Sequence, residues 1–563
     1  MDRPVHEADD TAGAASGGPG IVRHLRQVLL WPLRLMPAVL PDGSAHRKPW
    51  QLLRELGTAS PWRELQDEYT GDAERFHERH YNEFVAFLPY VQRFLYGEGR
   101  ARRDAADRGS DSPMRVFRRH DLRAVRVVAL EGAPAVRLEL KHVDLYFFYD
   151  LDVVMLNVEV QADDLPLPLA TELLYRFGRA YPSGWDADGR PLHCLHSVEW
   201  LGEGDAVLAR SDGQRPEDFL AHVALHRAPR IAAHWAFVLE PLVSDHSGRD
   251  GALRYRQIEY YRMPLMAYLA LDDPAALARA DFIRLGLITG SGDGDERASL
   301  PYAEAHLAEF ESRYCYDRFW GAGGAAPYTR YLCSGHSLVV VGDARSAFFA
   351  CRYRGVLAQF RHQHFLLFLI AHLQKAALLM FSDRLVEALR QLDVNDAPSV
   401  RRFKRAIRAS FEGFLRFTHR YWFHEISEQS HARALFRLCA GHLGLDPLYA
   451  EVKERIGDMS AYLDADSLRR QANTVVRLTV VTILGLIGTV TTGFLGMNLL
   501  AEADAPLSRR LAWFGAVFAA SASLTVYAMV KSKRLSDFLD ALSDERLGPW
   551  MKLKAFADIW RKG

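Results

Sequence analysis

The residues of this chain with the most distinctive chemistry lie near its carboxyl end. Gly496, Met497 and Asn498 stand close to the exit of an uncharged run of 24 residues, 478–501. A glycine permits backbone conformations that a side chain would restrict, and the asparagine amide supplies a second neutral oxygen beside the glycine carbonyl. Neutral oxygens accept hydrogen bonds without the strong grip that a carboxylate has on a cation. The tripeptide therefore offers uncharged hydrogen-bond acceptors at the end of an apolar run.

The elements around the tripeptide form an apolar hairpin. A second uncharged run, 511–530, follows the first after a connection of nine residues, 502–510. About 20 apolar residues in a helix span the ~30 Å core of a bilayer, so each run is long enough to cross and the connection is not. Glu502 and Asp504 in the connection would raise the local concentration of cations at that end of the hairpin.

The charges beside the two runs predict their orientation. Six basic residues lie on the flank side and two in the connection, which favours cytosolic flanks, with both termini in the cytosol. The flank residues are Arg469, Arg470, Arg477, Lys531, Lys533 and Arg534, and those of the connection are Arg509 and Arg510.

Small and hydroxylated residues recur along one face of the first run, at steps of three or four. They are Thr482, Thr489, Gly493 and Gly496, and Leu486 lies on the same face between the two threonines. Such a face lets helices approach closely, and several copies around an axis could line a narrow pore. A plain two-helix membrane anchor is the alternative.

A helical segment leads into the first run without a breaker. After Pro447, apolar residues follow at heptad-like steps of 3, 4, 3 and 4, and the next proline is Pro506. We expect one continuous helix from about 448 to 500, roughly 80 Å long. The heptad positions are Tyr449, Val452, Ile456, Met459 and Leu463.

This arrangement resembles the CorA family of divalent cation channels. The resemblance is specific over about 447–534 and rests on Gly496-Met497-Asn498 at the end of the first apolar helix. It implies a homopentamer in which the first helix lines the pore, the second faces lipid, and the tripeptide forms the selectivity filter. It further implies that cytosolic divalent ions hold the subunits together through acidic residues. Counted back from the tripeptide, the apolar pore constrictions would be Val475, Leu478 and Leu486.

The chain departs from the family pattern at several positions. Leu495 and Leu499 stand where the family usually has aromatic residues, and Ile487 stands where it usually has proline. Ala472 replaces the polar residue usual at the cytosolic pore mouth, and the chain continues well past the second run.

The part of the chain before the hairpin predicts a mixed domain of helices and strands. Predominantly apolar runs predict strands at 153–160, 231–239 and 337–341, and the chain becomes helical after about 355. The apolar stretch 365–381 is interrupted by polar residues, which favours a buried core helix over a third membrane segment. The stretch 28–40, broken by two prolines and an arginine, is interpreted as a short amphipathic surface segment.

The predicted fold class is an α+β membrane protein with a cytosolic mixed α/β domain and a stalk helix continuous with the first of two transmembrane helices. Its predicted segments are 1–45 (disordered or amphipathic), 46–345 (cytosolic α/β), 346–446 (cytosolic helical), 447–477 (stalk), 478–501 (first span), 502–510 (outer loop), 511–530 (second span) and 531–563 (cytosolic tail).

Composition narrows the classes of function. The 563 residues carry 70 basic and 70 acidic side chains, so no overall charge draws the chain to nucleic acid. The cysteines are five and scattered, which fits reduced cytosolic thiols. We find no phosphate-binding glycine loop and no nucleophile–base motif, and we expect no enzymatic activity.

Other groups of possible ligands are weaker. Metal binding is the less favoured interpretation of each group, because zinc sites need four well-spaced ligands and the acidic loop does not match the calcium-loop spacing. The groups are His193, Cys194 and His196; Cys333 and His336; His362, His364 and His372; Asp144, Asp150, Asp152, Asp163 and Asp164; and Asp293, Asp295 and Glu296.

The sequence as a whole predicts a multi-pass protein of the cytoplasmic (inner) membrane that conducts a divalent cation. Mg²⁺ is the first expectation, with Co²⁺ or Ni²⁺ as further ions. One alternative is a Zn²⁺ transporter like the ZntB branch, although the intact Met497 favours magnesium. Another is a pentameric scaffold or sensor that has lost conduction. The expected partners are divalent ions, membrane lipid and other copies of the chain, with no cofactor beyond the ion and no nucleic acid.

Overall fold

The structure is a computed structural model that describes residues 20–36, 48–65, 78–97, 114–259, 261–291, 300–393, 396–496 and 506–530. The chain divides into two compact units, Met1–Glu454 and Arg455–Gly563. The predicted α/β and helical regions, 46–345 and 346–446, therefore belong to one unit.

The described strands of the first unit form a single sheet of 14 members. Its order is 12-13-14-11-1-6-5-4-7-8, with strand 10 beside strands 1 and 9, and strand 3 beside strands 2 and 5. The strands are β1 (Ile21–Leu35), β2 (Trp62–Glu64), β3 (Met114–Arg119), β4 (Ala124–Val128), β5 (Val136–Phe148), β6 (Val153–Pro166), β7 (Ser197–Leu201), β8 (Val207–Arg210), β9 (Val243–Ser244), β10 (Arg254–Gln257), β11 (Leu265–Leu271), β12 (Cys315–Phe319), β13 (Thr329–Cys333) and β14 (Ser337–Asp343).

The first fourteen described helices belong to the first unit together with this sheet. The last two contain nearly all the described residues of the second unit. In chain order the helices are α1 (Pro49–Glu55), α2 (Glu78–Val85), α3 (Pro89–Tyr96), α4 (Leu167–Arg176), α5 (Pro216–His226), α6 (Ala233–Leu239), α7 (Arg279–Leu287), α8 (Glu304–Leu307), α9 (Phe310–Tyr314), α10 (Ala347–Ala350), α11 (Val356–Gln359), α12 (Phe365–Arg390), α13 (Ala397–Arg420), α14 (Ser430–Leu443), α15 (Leu445–Gly496) and α16 (Leu507–Val530).

Strand β1 lies at the centre of the sheet, so the interpretation of 1–45 as a disordered or amphipathic segment is wrong for these residues. It pairs antiparallel with β6 along one edge and with β11 and then β10 along the other. Leu30 donates its N–H to the Pro264 carbonyl at 2.8 Å. The missing N–H of Pro32 would point to the same edge, where β11 has ended and β10 has not begun. The proline therefore leaves no ladder hydrogen bond unmade.

The two faces of the sheet are covered by different helices. Side chains alternate across a strand, and Trp31 points to the face where it meets Trp235 of α6, with ring centroids 6.3 Å apart. Arg34 points to the opposite face and forms ion pairs with Asp383 and Glu387 of α12. The sheet is thus buried on both sides, which explains why β1 has an almost continuous apolar sequence.

The helical stretch Val356–Arg390 joins α11 and α12 through a π-helical turn, Phe360–His364. Among the helices whose side chains the structure describes throughout, it is the one whose length and composition would allow a membrane crossing, and 78% of its most apolar stretch is buried by the chain itself. The Gln374 amide donates to the carbonyls of Tyr421 and Phe423 at 2.9 and 3.2 Å. The structure thus agrees with the expectation of a buried core helix.

Two of the three named strand predictions are confirmed, since 153–160 lies in β6 and 337–341 in β14. The third is wrong, because 233–239 forms α6. Trp235, Val238 and Leu239 are buried there at a spacing of three and one, which is the pattern of a helix face.

Helix α15 continues without a break for 52 residues, from Leu445 to Gly496. It therefore covers the predicted stalk and the first run as far as the glycine of the tripeptide. Helix α16 covers 24 residues. That these two helices cross a membrane stays a prediction.

Candidate functional site

The residues predicted to line a pore lie on the distal part of α15, within the second unit. Val475 and Leu478 are 61% and 67% exposed in the single chain. Thr482, Thr489 and Gly493 are exposed as well. None of these five is covered by the part of the chain that the structure describes.

The other predicted site residues cannot be placed in the same way. Leu486 and Gly496 belong to α15, but their surroundings fall outside the described part of the chain. The same holds for the whole of Met497 and Asn498 and for the acidic pair in the connection, Glu502 and Asp504.

The threonine hydroxyls on α15 are bonded back to their own helix. Thr482 donates to the Leu478 carbonyl at 2.8 Å, and Thr489 donates to the Gly485 carbonyl at 2.9 Å. This leaves no unpaired hydroxyl donor in an apolar environment. Each oxygen keeps lone pairs that can accept a hydrogen bond. An exposed threonine of this kind could accept from the water shell of a cation.

The glycines of the same stretch have free space beside them. A Cβ added to Gly485, Gly488 or Gly493 would meet no atom within 4 Å. Contacts within this chain therefore do not require glycine at these positions. Open glycines on a helix face allow another helix to approach closely.

Helix α16 also carries large apolar side chains that the chain leaves uncovered. Leu507 is 74% exposed, Leu511 60% and Trp513 56%. Single exposed apolar residues are ordinary, but their succession on one helix calls for a covering surface. Lipid or further copies of the chain would supply it.

The histidines of α11–α12 and the π-helical turn do not converge on a metal site. His362 faces Glu83 at 3.1 Å, whereas His364 faces His431, with 3.1 Å between their Nε2 atoms. His372 is buried elsewhere on α12. In the ranges that the structure describes, no group of three or more His, Cys, Asp or Glu side chains could hold a metal ion.

The aspartates beside β5 and β6 are each paired with a separate basic side chain, so they do not form a shared ion site. The pairs are Asp144–Arg118 at 2.7 Å, Asp163–His24 at 2.6 Å, Asp164–Arg23 at 2.9 Å, Asp150–Arg420 and Asp152–Arg384. The acidic loop with Asp293, Asp295 and Glu296 lies outside the described residues.

The cysteine–histidine groups that the sequence suggested do not form metal sites either, in the part of the chain that the structure describes. The His193 ring meets the Tyr175 hydroxyl at 2.5 Å. Burial raises the pKa of the Cys194 thiol to about 12, which disfavours the thiolate that a metal would need. The pKa of Cys333 is raised by contact with the Cys439 thiol and by burial.

His336 instead belongs to a charged cavity that sequence reasoning missed. The charged side chains of the lining are Arg179, Glu259, Arg262 and Lys375. Together with His336 they come from four segments that are far apart in the sequence.

Comparison of the whole chain with protein family models, with curated proteins and with solved structures finds no match to any of the three.

Proposed function

We propose that this chain is a CorA-type divalent cation channel, with Mg²⁺ as its first substrate. In the proposed assembly, five copies surround a pore lined by the distal part of α15, and α16 faces lipid. Gly496, Met497 and Asn498 would form the selectivity filter. The observation that carries the proposal is the unbroken course of α15 to the glycine of this tripeptide.

The exposed threonines and glycines of α15 support a pore-lining role. Thr482 and Thr489 lie seven residues apart, about two turns of one helix face. Their oxygens can accept hydrogen bonds, while their own protons are already donated within the helix. Such a surface can contact a hydrated ion at several depths without holding it strongly.

The uncovered apolar residues support a membrane location with several copies. Val475 and Leu478 on α15, and Leu511 and Trp513 on α16, are all more than half exposed in one chain. Exposure of this apolar surface to water is unfavourable by ~25 cal/mol per Å². Acyl chains around α16 and neighbouring copies along α15 would remove it from water.

The test is ion flux into liposomes that contain the purified full-length protein. An entrapped Mg²⁺-sensitive dye should report uptake by the wild type. Asn498→Ala should lower uptake by at least tenfold while the oligomer, measured by light scattering, is retained. Asn82→Ala removes a matched asparagine in α2 and should leave uptake unchanged.

The same liposomes separate the alternatives. Uptake of Zn²⁺ in the absence of Mg²⁺ uptake would replace magnesium with zinc as the substrate. If Mg²⁺, Co²⁺, Ni²⁺ and Zn²⁺ all fail to enter, the chain does not conduct, and a non-conducting membrane scaffold becomes the better explanation.

A further inference from the structure

A cavity of about 470 Å³ lies within the first unit. Arg179 reaches it from the segment after α4, and Arg262 from the turn before β11. His336 lies at the turn before β14, and Lys375 lies on α12. The volume is in the range of sites that hold small organic molecules, roughly 300–1,000 Å³.

The lining has more positive than negative charge. Glu259 is its one carboxylate, and this group is already paired with the Lys375 ammonium at 2.7 Å. Among the residues that the structure describes, Arg179 and Arg262 therefore remain as two positive charges without a carboxylate partner. Arg179 donates to the Tyr175 carbonyl at 3.0 Å.

The charged form of Arg262 is disfavoured in this arrangement. Its guanidinium donates to the Ile288 carbonyl at 2.9 Å, and no carboxylate in the described ranges forms an ion pair with it. Burial and the positive charge of Arg179 lower the pKa of Arg262 to about 10. An anion in the cavity would relieve both effects, because it would replace lost hydration and screen the two charges.

The two arginines are also held in position. Arg179 lies over the rings of Tyr261 and Tyr175, with the guanidinium carbon 4.6 and 4.9 Å from the ring centroids. The backbones of Arg179 and Arg262 are joined by a β-bridge. Guanidinium groups fixed in this way lose little freedom when they bind a planar or tetrahedral oxyanion.

We propose that this cavity binds a phosphate-bearing small molecule. Arginine forks match phosphate oxygens in bidentate geometry, and the two unpaired guanidinium groups offer the charge that such a ligand requires. The Oε2 atom of Glu259 is buried and has no hydrogen-bond partner within the structure. A hydroxyl or amine on the ligand would donate to it, so a phosphate ester fits the lining better than free phosphate. This inference is independent of ion conduction.

The test is calorimetric titration of the full-length protein in detergent, with divalent ions removed by chelation. AMP and inorganic pyrophosphate are the two probes, because AMP carries hydroxyl and amine donors and pyrophosphate does not. Saturable binding of either supports the site. Tighter binding of AMP identifies an organic phosphate as the ligand, and binding of pyrophosphate alone identifies an inorganic one.

Two substitutions should change the affinity for the probe in opposite directions. Arg262→Gln removes a charge-assisted contact and should weaken binding about ten- to hundredfold. Glu259→Gln removes the one negative charge and should strengthen pyrophosphate binding by about tenfold. Arg390→Gln is the control, since it removes an exposed charge from the far end of α12.

The proposal is overturned if neither probe binds at millimolar concentration. It is equally overturned if the affinity is the same in the wild type, Arg262→Gln and Glu259→Gln, because the probe would then sit elsewhere. Should Arg262→Gln fail to fold, the strengthened binding expected of Glu259→Gln still decides the matter.

Discussion

The Tyr449 ring of α15 stacks on the Trp422 ring, with centroids 4.3 Å apart and 15° between the planes. Phe414 of α13 extends the stack, since its centroid lies 5.6 Å from that of Tyr449. The heptad-like seam of α15 thus begins on an aromatic contact with the end of the helical layer. This contact joins the start of α15 to the segment that follows α13.

Removing the stack should destabilise the first unit. Tyr449→Ala deletes a half-buried ring, and we expect a loss of about 2 kcal/mol in the free energy of unfolding. The measurement is the thermal unfolding temperature of the full-length protein in detergent. Tyr353→Ala removes a ring that is 77% exposed and should leave this temperature nearly unchanged. Equal effects of the two variants would contradict the role given to the stack.

A buried ion pair in the sheet should be sensitive to the loss of one partner. Arg26 of β1 and Glu159 of β6 touch as an ion pair, with side chains only 5% and 8% exposed. Glu159→Leu would leave Arg26 charged and buried, at an expected cost of about 3–5 kcal/mol. The double variant Arg26→Met with Glu159→Leu should recover most of the loss. Thermal unfolding of the wild type and of the two variants checks this, and a double variant as unstable as the single one would refute the explanation.

Two glycine substitutions should act in opposite directions. A Cβ on Gly342 of β14 would lie 2.2 Å from the Phe349 ring. That ring stacks on Tyr268, with centroids 4.6 Å apart, so it has little room to move. Gly342→Ala should therefore cost about 1–3 kcal/mol.

The matched control is Gly441→Ala in α14, where an added Cβ meets nothing within 4 Å. It should stabilise the protein by up to about 1 kcal/mol, because alanine favours the helix. Both variants are compared by thermal unfolding. A neutral Gly342→Ala would show that the space around Phe349 is larger than described.

Acid should destabilise the first unit through its buried histidines. Burial, with a contribution from the Arg318 charge, lowers the pKa of His431 to about 4, from about 6.5 in an unfolded chain. The unfolded chain therefore binds this proton first. The stability that the protein gains from keeping His431 neutral is complete above pH 6.5, and it is lost as the pH falls toward 4. The slope is about 1.4 kcal/mol per pH unit, and the total is about 3 kcal/mol.

The measurement is the unfolding temperature at pH 7.5, 6 and 5. His431→Gln should reduce the loss between pH 6.5 and 5, whereas His306→Gln, at an exposed histidine, should not. Burial also lowers the pKa of His234, to about 3, so the variant should keep part of the acid sensitivity. An unchanged pH profile in His431→Gln would exclude His431 as a source of that sensitivity.

The elements with a clear local signal could be predicted from the sequence, and those whose signal depends on distant partners could not. The run 153–160 is mostly apolar and rich in valine, as suits a strand buried on both faces, and α15 has a regular seam with no proline after Pro447. Strand β1 was missed because Pro32 and Arg34 interrupt an apolar run. The structure tolerates both, since Pro32 lies where the neighbouring strand changes and Arg34 pairs with α12.

The two candidate sites also differ in how much of each can be predicted from the sequence. The tripeptide is contiguous, so its chemistry could be considered from the sequence. The phosphate cavity is assembled from Arg179, Arg262, His336 and Lys375, which span almost 200 positions of the chain. Only the pairing of distant strands and the packing of α12 bring these charges together, and no local pattern carries that information.

The central place of β1 has a consequence for synthesis of the protein. Residues 21–35 leave the ribosome before their partners, since they pair with β6 at 153–166 and with β11 at 265–271. Strand β1 must therefore wait unpaired until β6 has been translated, which takes about 130 further residues, or about 7–26 s at 5–20 residues per second. Its other edge stays open until β11 follows about 100 residues later, and an apolar strand with an open edge is prone to aggregate during that interval.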